Sequence, residues 1–191
     1  VEGDLPNGEK EMVTVDEGIR FDASEESLSG LNTLTDEGVL TAGTSSQICD
    51  GAAAVMLVND AGLKKLGLKP RAKVVALALA GDDPVIMLTG PIPASKTVLG
   101  KANLSIDDID IYEVNEAFAP VPLAWAHELK ANKEKLNVNG GAMALGHPLG
   151  GTGAKLMTTL LHELERRNGK YALQAICEGG GTANATIIKR V

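Results

Sequence analysis

Large rings are almost absent: one Trp, two Tyr and two Phe make up 3% of the 191 residues. The core must therefore be built from Ala, Val, Leu and Ile, with 22 glycines allowing tight backbone turns. Cysteine is equally scarce, with two residues and no CxxC spacing, which excludes a zinc ribbon and leaves no evident metal site. No apolar stretch approaches the roughly 18 residues of a membrane-spanning helix. Positive charge is in deficit: 18 Lys and Arg against 25 Asp and Glu leave a net charge of −7. That balance argues against nucleic acid or an anionic membrane surface as the main partner. It leaves a phosphorylated ligand open, because helix termini and a few lysines bind anions on an acidic protein. No secretory signal is visible, so a reducing, cytoplasmic compartment is the expectation.

What is present fits a soluble globular chain, 44% hydrophobic and 23% charged. Its length suits one domain or slightly more, able to bury about 70% of the unfolded surface. The opening "VEGDLPNGEKEMVTVDEGIRFDASEESLSG" is polar and irregular and begins on Val1. It reads as a chain joined in mid-fold, with loop and short elements to about Thr41. "DGAAAVMLVND" (Asp50 to Asp60) then turns small and apolar with no polar face, which predicts a buried short helix running into a strand. "AGLKKLGLKPRA" reads as a charged linker helix.

From there, strand and helix alternate. Strands are predicted at "KVVALALAG" (73–81), "DIDIYEV" (108–114), "KLNVNGG", "YALQAIC" and "ATIIKRV". Helices are predicted at "IPASKTVLGKAN" (92–103), at "FAPVPLAWAHELKAN" (118–132) with prolines in its first turn, and at "GGTGAKLMTTLLHELERRNG" (150–169). The class is α/β with a mixed sheet, mostly covered by helices.

Three loops after predicted strands hold the unusual residues, and strand ends are where such sheets collect ligands and catalysts. In "EVNEAFAP", Asn115 ends an apolar strand. Its amide is able to orient a water or a carbonyl, though read alone it is a helix cap. In "NGGAMALGHPLGGTGAK", His147 lies between Gly146 and Pro148 ahead of a helix. The glycines permit close approach of a ligand, and the imidazole is poised as acid, base or donor. His127 and His162 fall in helical patterns and are expected on the surface. The same loop lacks the Gly-Lys-Ser/Thr ending of a P-loop and the last Gly of a dinucleotide fingerprint. In "CEGGGTANATI", Cys177 stands where a strand stops against three glycines. Buried inert thiols are common, yet the Gly179 N–H beside this one offers itself to an oxyanion. Glu178 would raise the thiol pKa if aimed at the sulfur and is expected to point away. Cys49 has no such setting and reads as a small core residue. Cys, His and Asn at successive strand ends suggest acyl transfer, without the helix-borne nucleophile and upstream Gln of a papain-like enzyme.

"NEAFA", "GGAMALGHPLGGTGAK" and "CEGGGTANATI" closely resemble the three C-terminal signatures of the thiolases, and "VTVDEGIR" and "VLTAGTSSQICDGAAAVML" resemble the region before them. The resemblance implies a thiolase-like C-terminal βαβ domain over 71–191. Ahead of it would lie a loop-domain remnant over 1–46 and the last helix and strand of the N-terminal domain over 47–70. It implies reversible acyl transfer between acyl-CoA and CoA, by Claisen condensation or thiolysis of a 3-ketoacyl-CoA, in lipid metabolism. Coenzyme A enters as substrate, and no cofactor is permanently bound.

By resemblance, Cys177 is the acid/base that moves the proton of the second substrate or leaving thiol. His147 activates the nucleophilic cysteine and helps bind the thioester oxygen. Asn115 holds a water that completes an oxyanion hole for the enolate, and the Gly179 N–H serves a second hole. Ser46 contacts the pantetheine arm of CoA, and Ala117 and Phe118 line the same tunnel.

Two departures stand out. The family's nucleophilic cysteine belongs to an N-terminal half that this chain does not contain, and neither Cys49 nor Cys177 matches its motif. "GTSSQ" stands where many relatives carry Asn-Ala-Ser-Gly. The partners implied are acyl-CoA, CoA and the missing half, in a homodimer or homotetramer. The rival reading is a non-catalytic thiolase-like module for CoA binding or assembly.

Overall fold

A computed structural model describes residues 2–5 and 7–191. Val1 and Pro6, both in the opening read as loop, lie outside the described residues. The described residues up to 59 form little regular structure. β1 (Glu2–Asp4) and β2 (Lys10–Met12) make a two-stranded antiparallel ribbon, and α1 (Glu25–Ser29) is a short helix capped by Ser24 with no buried residue.

The expected buried helix and strand across Asp50–Asp60 do not form. Residues 50–59 adopt no regular structure, and Met56 and Leu57 are 71% and 77% exposed. A strand needs a neighbour for its N–H and C=O groups, and no sheet among the described residues includes this segment. α2 (Asp60–Leu66) follows. Asn59 caps it by accepting from the Gly62 N–H at 2.9 Å, and Gly67, at φ 63, closes it.

The alternating part begins with β3 (Ala72–Gly81) and α3 (Pro91–Ala102), whose first-turn proline has no N–H to waste. β4 (Ile111–Val114), α4 (Pro120–Leu129) and the single turn α5 (Ala142–Leu145) come next. α6 (Thr152–Arg166), β5 (Tyr171–Cys177) and β6 (Thr182–Arg190) complete the chain. The sheet order is β3-β6-β5-β4; β4 and β5 are parallel and the other neighbours antiparallel, so the sheet is mixed, as expected. "KLNVNGG" is not the predicted strand. One parallel bridge joins Tyr112 to Leu136, and then Asn137 and Gly140, at φ 46 and φ 80, turn the backbone out of extended geometry.

Alternation along the strands sorts the core into two layers. Tyr112 and Val114 of β4 join Leu173, Ala175, Ile187 and Trp125 beneath α3 and α4. Ile111, Ala172 and Ile188 face the other way and meet Leu160 and Leu164 of α6. Leu156, Leu160 and Leu164 are spaced by four, so they form one stripe, and each fully buried leucine contributes about 1.5–3 kcal/mol. Trp125 Nε1 donates to Ser95 Oγ at 2.8 Å and ties α4 to α3. Cover is unequal between the faces. Leu77 and Leu79 of β3, 62% and 80% exposed, alternate with the packed Ala76, Ala78 and Ala80, so their face stands bare beyond α6.

Because β4 and β5 are parallel and Val114 pairs with Ala175, their C-terminal ends lie side by side. The Asn115 N–H extends the ladder by donating to the Ala175 carbonyl at 3.0 Å. Whatever follows these two strands is thereby brought to one place.

Candidate active site

Asn115 and Cys177 occupy those two strand ends, both buried. The Asn115 amide nitrogen lies 4.0 Å from Cys177 Sγ and 3.5 Å from His147 Nε2, so one side chain spans the other two. Asn115 Oδ1 is buried without a partner. Burial pushes the Cys177 thiol up; the Asn115 amide opposes this and Glu178 adds slightly to it. Glu178 has other occupations: its carboxylate accepts from Asn184 Nδ2 at 2.7 Å and from Thr182 Oγ1 at 3.2 Å. Gly179 follows in a 3-10 turn, and a Cβ placed on it would meet nothing within 4 Å, so this wall stands open.

His147 comes from the loop between α5 and α6, where several contacts fix its approach. The His147 N–H donates to the Gln47 carbonyl at 2.7 Å. Its Nδ1 lies 2.6 Å from Thr152 Oγ1 in the first turn of α6. Lys155 Nζ reaches back to the Leu145 and Gly146 carbonyls, both at 2.8 Å. Gly146 has φ 81, and a Cβ there would come within 2.5 Å of Cys49 Sγ, so glycine is required on both counts. Burial, and then the Lys155 charge, lower the His147 pKa from its ordinary value and so favour the neutral imidazole.

Glu116 stitches this loop to β4. Its carboxylate accepts from Asn137 Nδ2 at 2.8 Å and from the Met143 N–H at 3.0 Å, and the carboxyl fills the space a side chain at Gly141 would need. Thr152, Lys155 and Glu116 were not singled out from the sequence. A buried acid inside the apolar "NEAFA" run was the one signal that could have found Glu116; the other two act through contacts that cross between loops.

The remaining candidates group as follows. The Ser46 N–H donates to the Ala117 carbonyl at 3.1 Å, and Ser45 bridges Phe118, so Ser46, Ala117 and Phe118 share one half-buried strip. That strip continues into Ile48, which bridges His147. Cys49 is half-buried against Gly146 rather than in the core. His127 and His162 are exposed helix residues, as expected. Among the described residues no cluster of His, Cys, Asp or Glu suits a metal ion.

A neutral imidazole, a protonated thiol and an amide spanning both are parts for moving a proton beside a carbonyl. The fold is α/β with a mixed sheet, and the site gathers Asn115 and Cys177 at the ends of two parallel strands with His147 from the loop before α6. The profile of the thiolase C-terminal domain matches residues 68–190, and that of the thiolase N-terminal domain matches 1–61. The chain is 58% identical over 177 residues to the steroid 3-ketoacyl-CoA thiolase FadA6 of Mycobacterium tuberculosis, across 93% of this chain and 43% of that protein. Its fold matches the Bacillus anthracis acetyl-CoA acetyltransferase with TM-score 0.90 at 40% identity, covering 96% of this chain and 47% of the other. It also matches human mitochondrial 3-ketoacyl-CoA thiolase in complex with CoA, with TM-score 0.85 at 43% identity, covering 94% and 46%. The chain belongs to the thiolase family. It spans about half the length of the curated relatives it matches, for example 43% of FadA6.

Proposed function

We propose that the whole protein is a 3-ketoacyl-CoA thiolase, exchanging acyl groups between acyl-CoA and CoA in lipid breakdown. The observation that carries this reading is the Asn115 amide spanning His147 Nε2 at 3.5 Å and Cys177 Sγ at 4.0 Å. In thiolysis the nucleophilic cysteine, supplied by the half this chain lacks, gives its proton to His147 and attacks the ketone carbonyl. The Cα–Cβ bond breaks, and Cys177 S–H protonates the departing carbanion. The Cys177 thiolate then takes the proton of an incoming CoA thiol, which displaces the acyl group from the enzyme cysteine. A thiol held protonated by burial suits the first of these duties. The orphaned Asn115 Oδ1 calls for a donor, in keeping with a water held there for the enolate oxygen. The Gly179 N–H serves the tetrahedral intermediate. Ser46, Ala117 and Phe118 line the pantetheine path, which their shared strip supports.

In this reading residues 1–46 belong to the loop domain, 47–70 to the N-terminal domain and 71–191 to the C-terminal domain. The bare apolar residues Met56, Leu57, Leu77 and Leu79 pack against the missing half in a homodimeric or homotetrameric protein. Two free thiols accord with the cytoplasm, and no helix among the described residues is long and apolar enough to cross a membrane. The absence of a matched nucleophile favours a second reading for the chain by itself, a non-catalytic CoA-binding module.

The test uses the full-length protein and mass spectrometry after mixing with acetyl-CoA. Cys177→Ala should accumulate the acyl-enzyme yet fail to condense it, while His147→Ala should lose both steps. Absence of an acyl adduct in the Cys177→Ala protein would overturn this division of roles.

A further inference from the structure

The His147 ring is held from behind as well as in front. Behind it, Nδ1 lies 2.6 Å from Thr152 Oγ1, and that oxygen lies 2.9 Å from the Pro148 carbonyl. A hydroxyl has one proton and two lone pairs, and a carbonyl only accepts. The Thr152 proton is therefore spent on Pro148, and the oxygen turns a lone pair toward the ring. Thr152 is 2% exposed, so bulk water does not compete for this hydroxyl. In front, the Asn115 amide nitrogen faces Nε2 at 3.5 Å, and an amide nitrogen only donates. Both neighbours ask for the same ring: a proton on Nδ1 and a lone pair on Nε2.

We propose that Thr152 is a positioning residue that fixes His147 as its Nδ1–H tautomer, so that the Nε2 lone pair faces the cleft. This rests on the reading of His147 as the base. A base must present a bare nitrogen to the proton it takes, and in the other tautomer that nitrogen would point into α6. The ring would then occupy the right place with the wrong atom forward. Threonine at the first position of α6 thus does more than begin a helix: its back-bond to Pro148 selects which ring nitrogen is basic.

The direct test is nitrogen-resolved NMR of the imidazoles in the 191-residue chain, where three histidines keep assignment simple. In the unaltered chain near pH 8, Nδ1 of His147 should carry the proton and Nε2 should not. Thr152→Val, similar in shape but without the hydroxyl, should move the population toward Nε2–H. Thr152→Ser should restore the original tautomer. A proton found on Nε2 in the unaltered chain overturns the proposal without need of any variant, as does an unmoved tautomer in Thr152→Val. In the full-length protein, Thr152→Val should lower kcat by about 10–100-fold with KM little changed, and Thr152→Ser should stay within a few-fold. A shifted tautomer with undiminished kcat would instead overturn the reading of His147 as the base, so the two failures are told apart.

Discussion

Replacing Glu113 with Gln should stabilise the chain at neutral pH. Glu113 is fully buried in β4, and neither carboxyl oxygen has a partner. Across the parallel register it faces Gln174, whose Oε1 is also without a donor. Burial first, then repulsion from Glu116 and Glu163, pushes the carboxyl from 4.5 to about 8, with Lys155 opposing. At pH 7 the folded chain therefore holds a proton that the unfolded chain has released. Taking it up costs about 3 kcal/mol, from some 2.5 pH units at about 1.36 kcal/mol each. Since the folded value is the raised one, this stability is fully present below pH 4.5 and is lost as pH rises toward about 8. Glutamine keeps the shape, does not titrate, and brings an NH₂ able to serve Gln174 Oε1. The expected result from urea denaturation between pH 4.5 and 8.5 is a gain of about 3 kcal/mol at pH 7 that shrinks toward zero at the acid end. Parallel stability curves for the two proteins would refute the reasoning.

Two further outcomes follow from neighbouring contacts. Glu116→Ala leaves the Met143 N–H and one of the two Asn137 Nδ2 hydrogens without an acceptor, the other still donating to the Val114 carbonyl, and should destabilise the chain by about 2–4 kcal/mol in the same assay. With burial and then the Lys155 charge lowering the His147 pKa from its ordinary value, Lys155→Met should move the acid limb of kcat/KM in the full-length protein to higher pH, and an unmoved limb would contradict this.

The sequence made the alternating part legible because its periods are clean. α6 carries leucines at spacings of four, and β5 is a short apolar run closed by glycines. The three signatures fall on the loops that the parallel pair β4 and β5 and the turn before α6 bring together. What misled was apolar content read as burial. Residues 52–58 have the composition of a core strand and lie exposed, because pairing depends on a neighbour that no local pattern encodes. "KLNVNGG" has strand-like residues, but left-handed Asn137 and Gly140 end it after a single bridge. Glu116, Thr152 and Lys155 shape the site through bonds between loops, and such contacts have no period to read.

The most direct test of the central claim is thiolysis of acetoacetyl-CoA by the 191-residue chain, with and without the N-terminal half of a thiolase. Thiolysis needs a thiolate at the ketone carbonyl carbon and an oxyanion donor about 3 Å from the developing charge. The chain supplies the base, the acid and one oxyanion N–H in this account, but no matched nucleophile. No turnover alone and recovery when the other half is added is the result expected; robust turnover by the chain alone would contradict it.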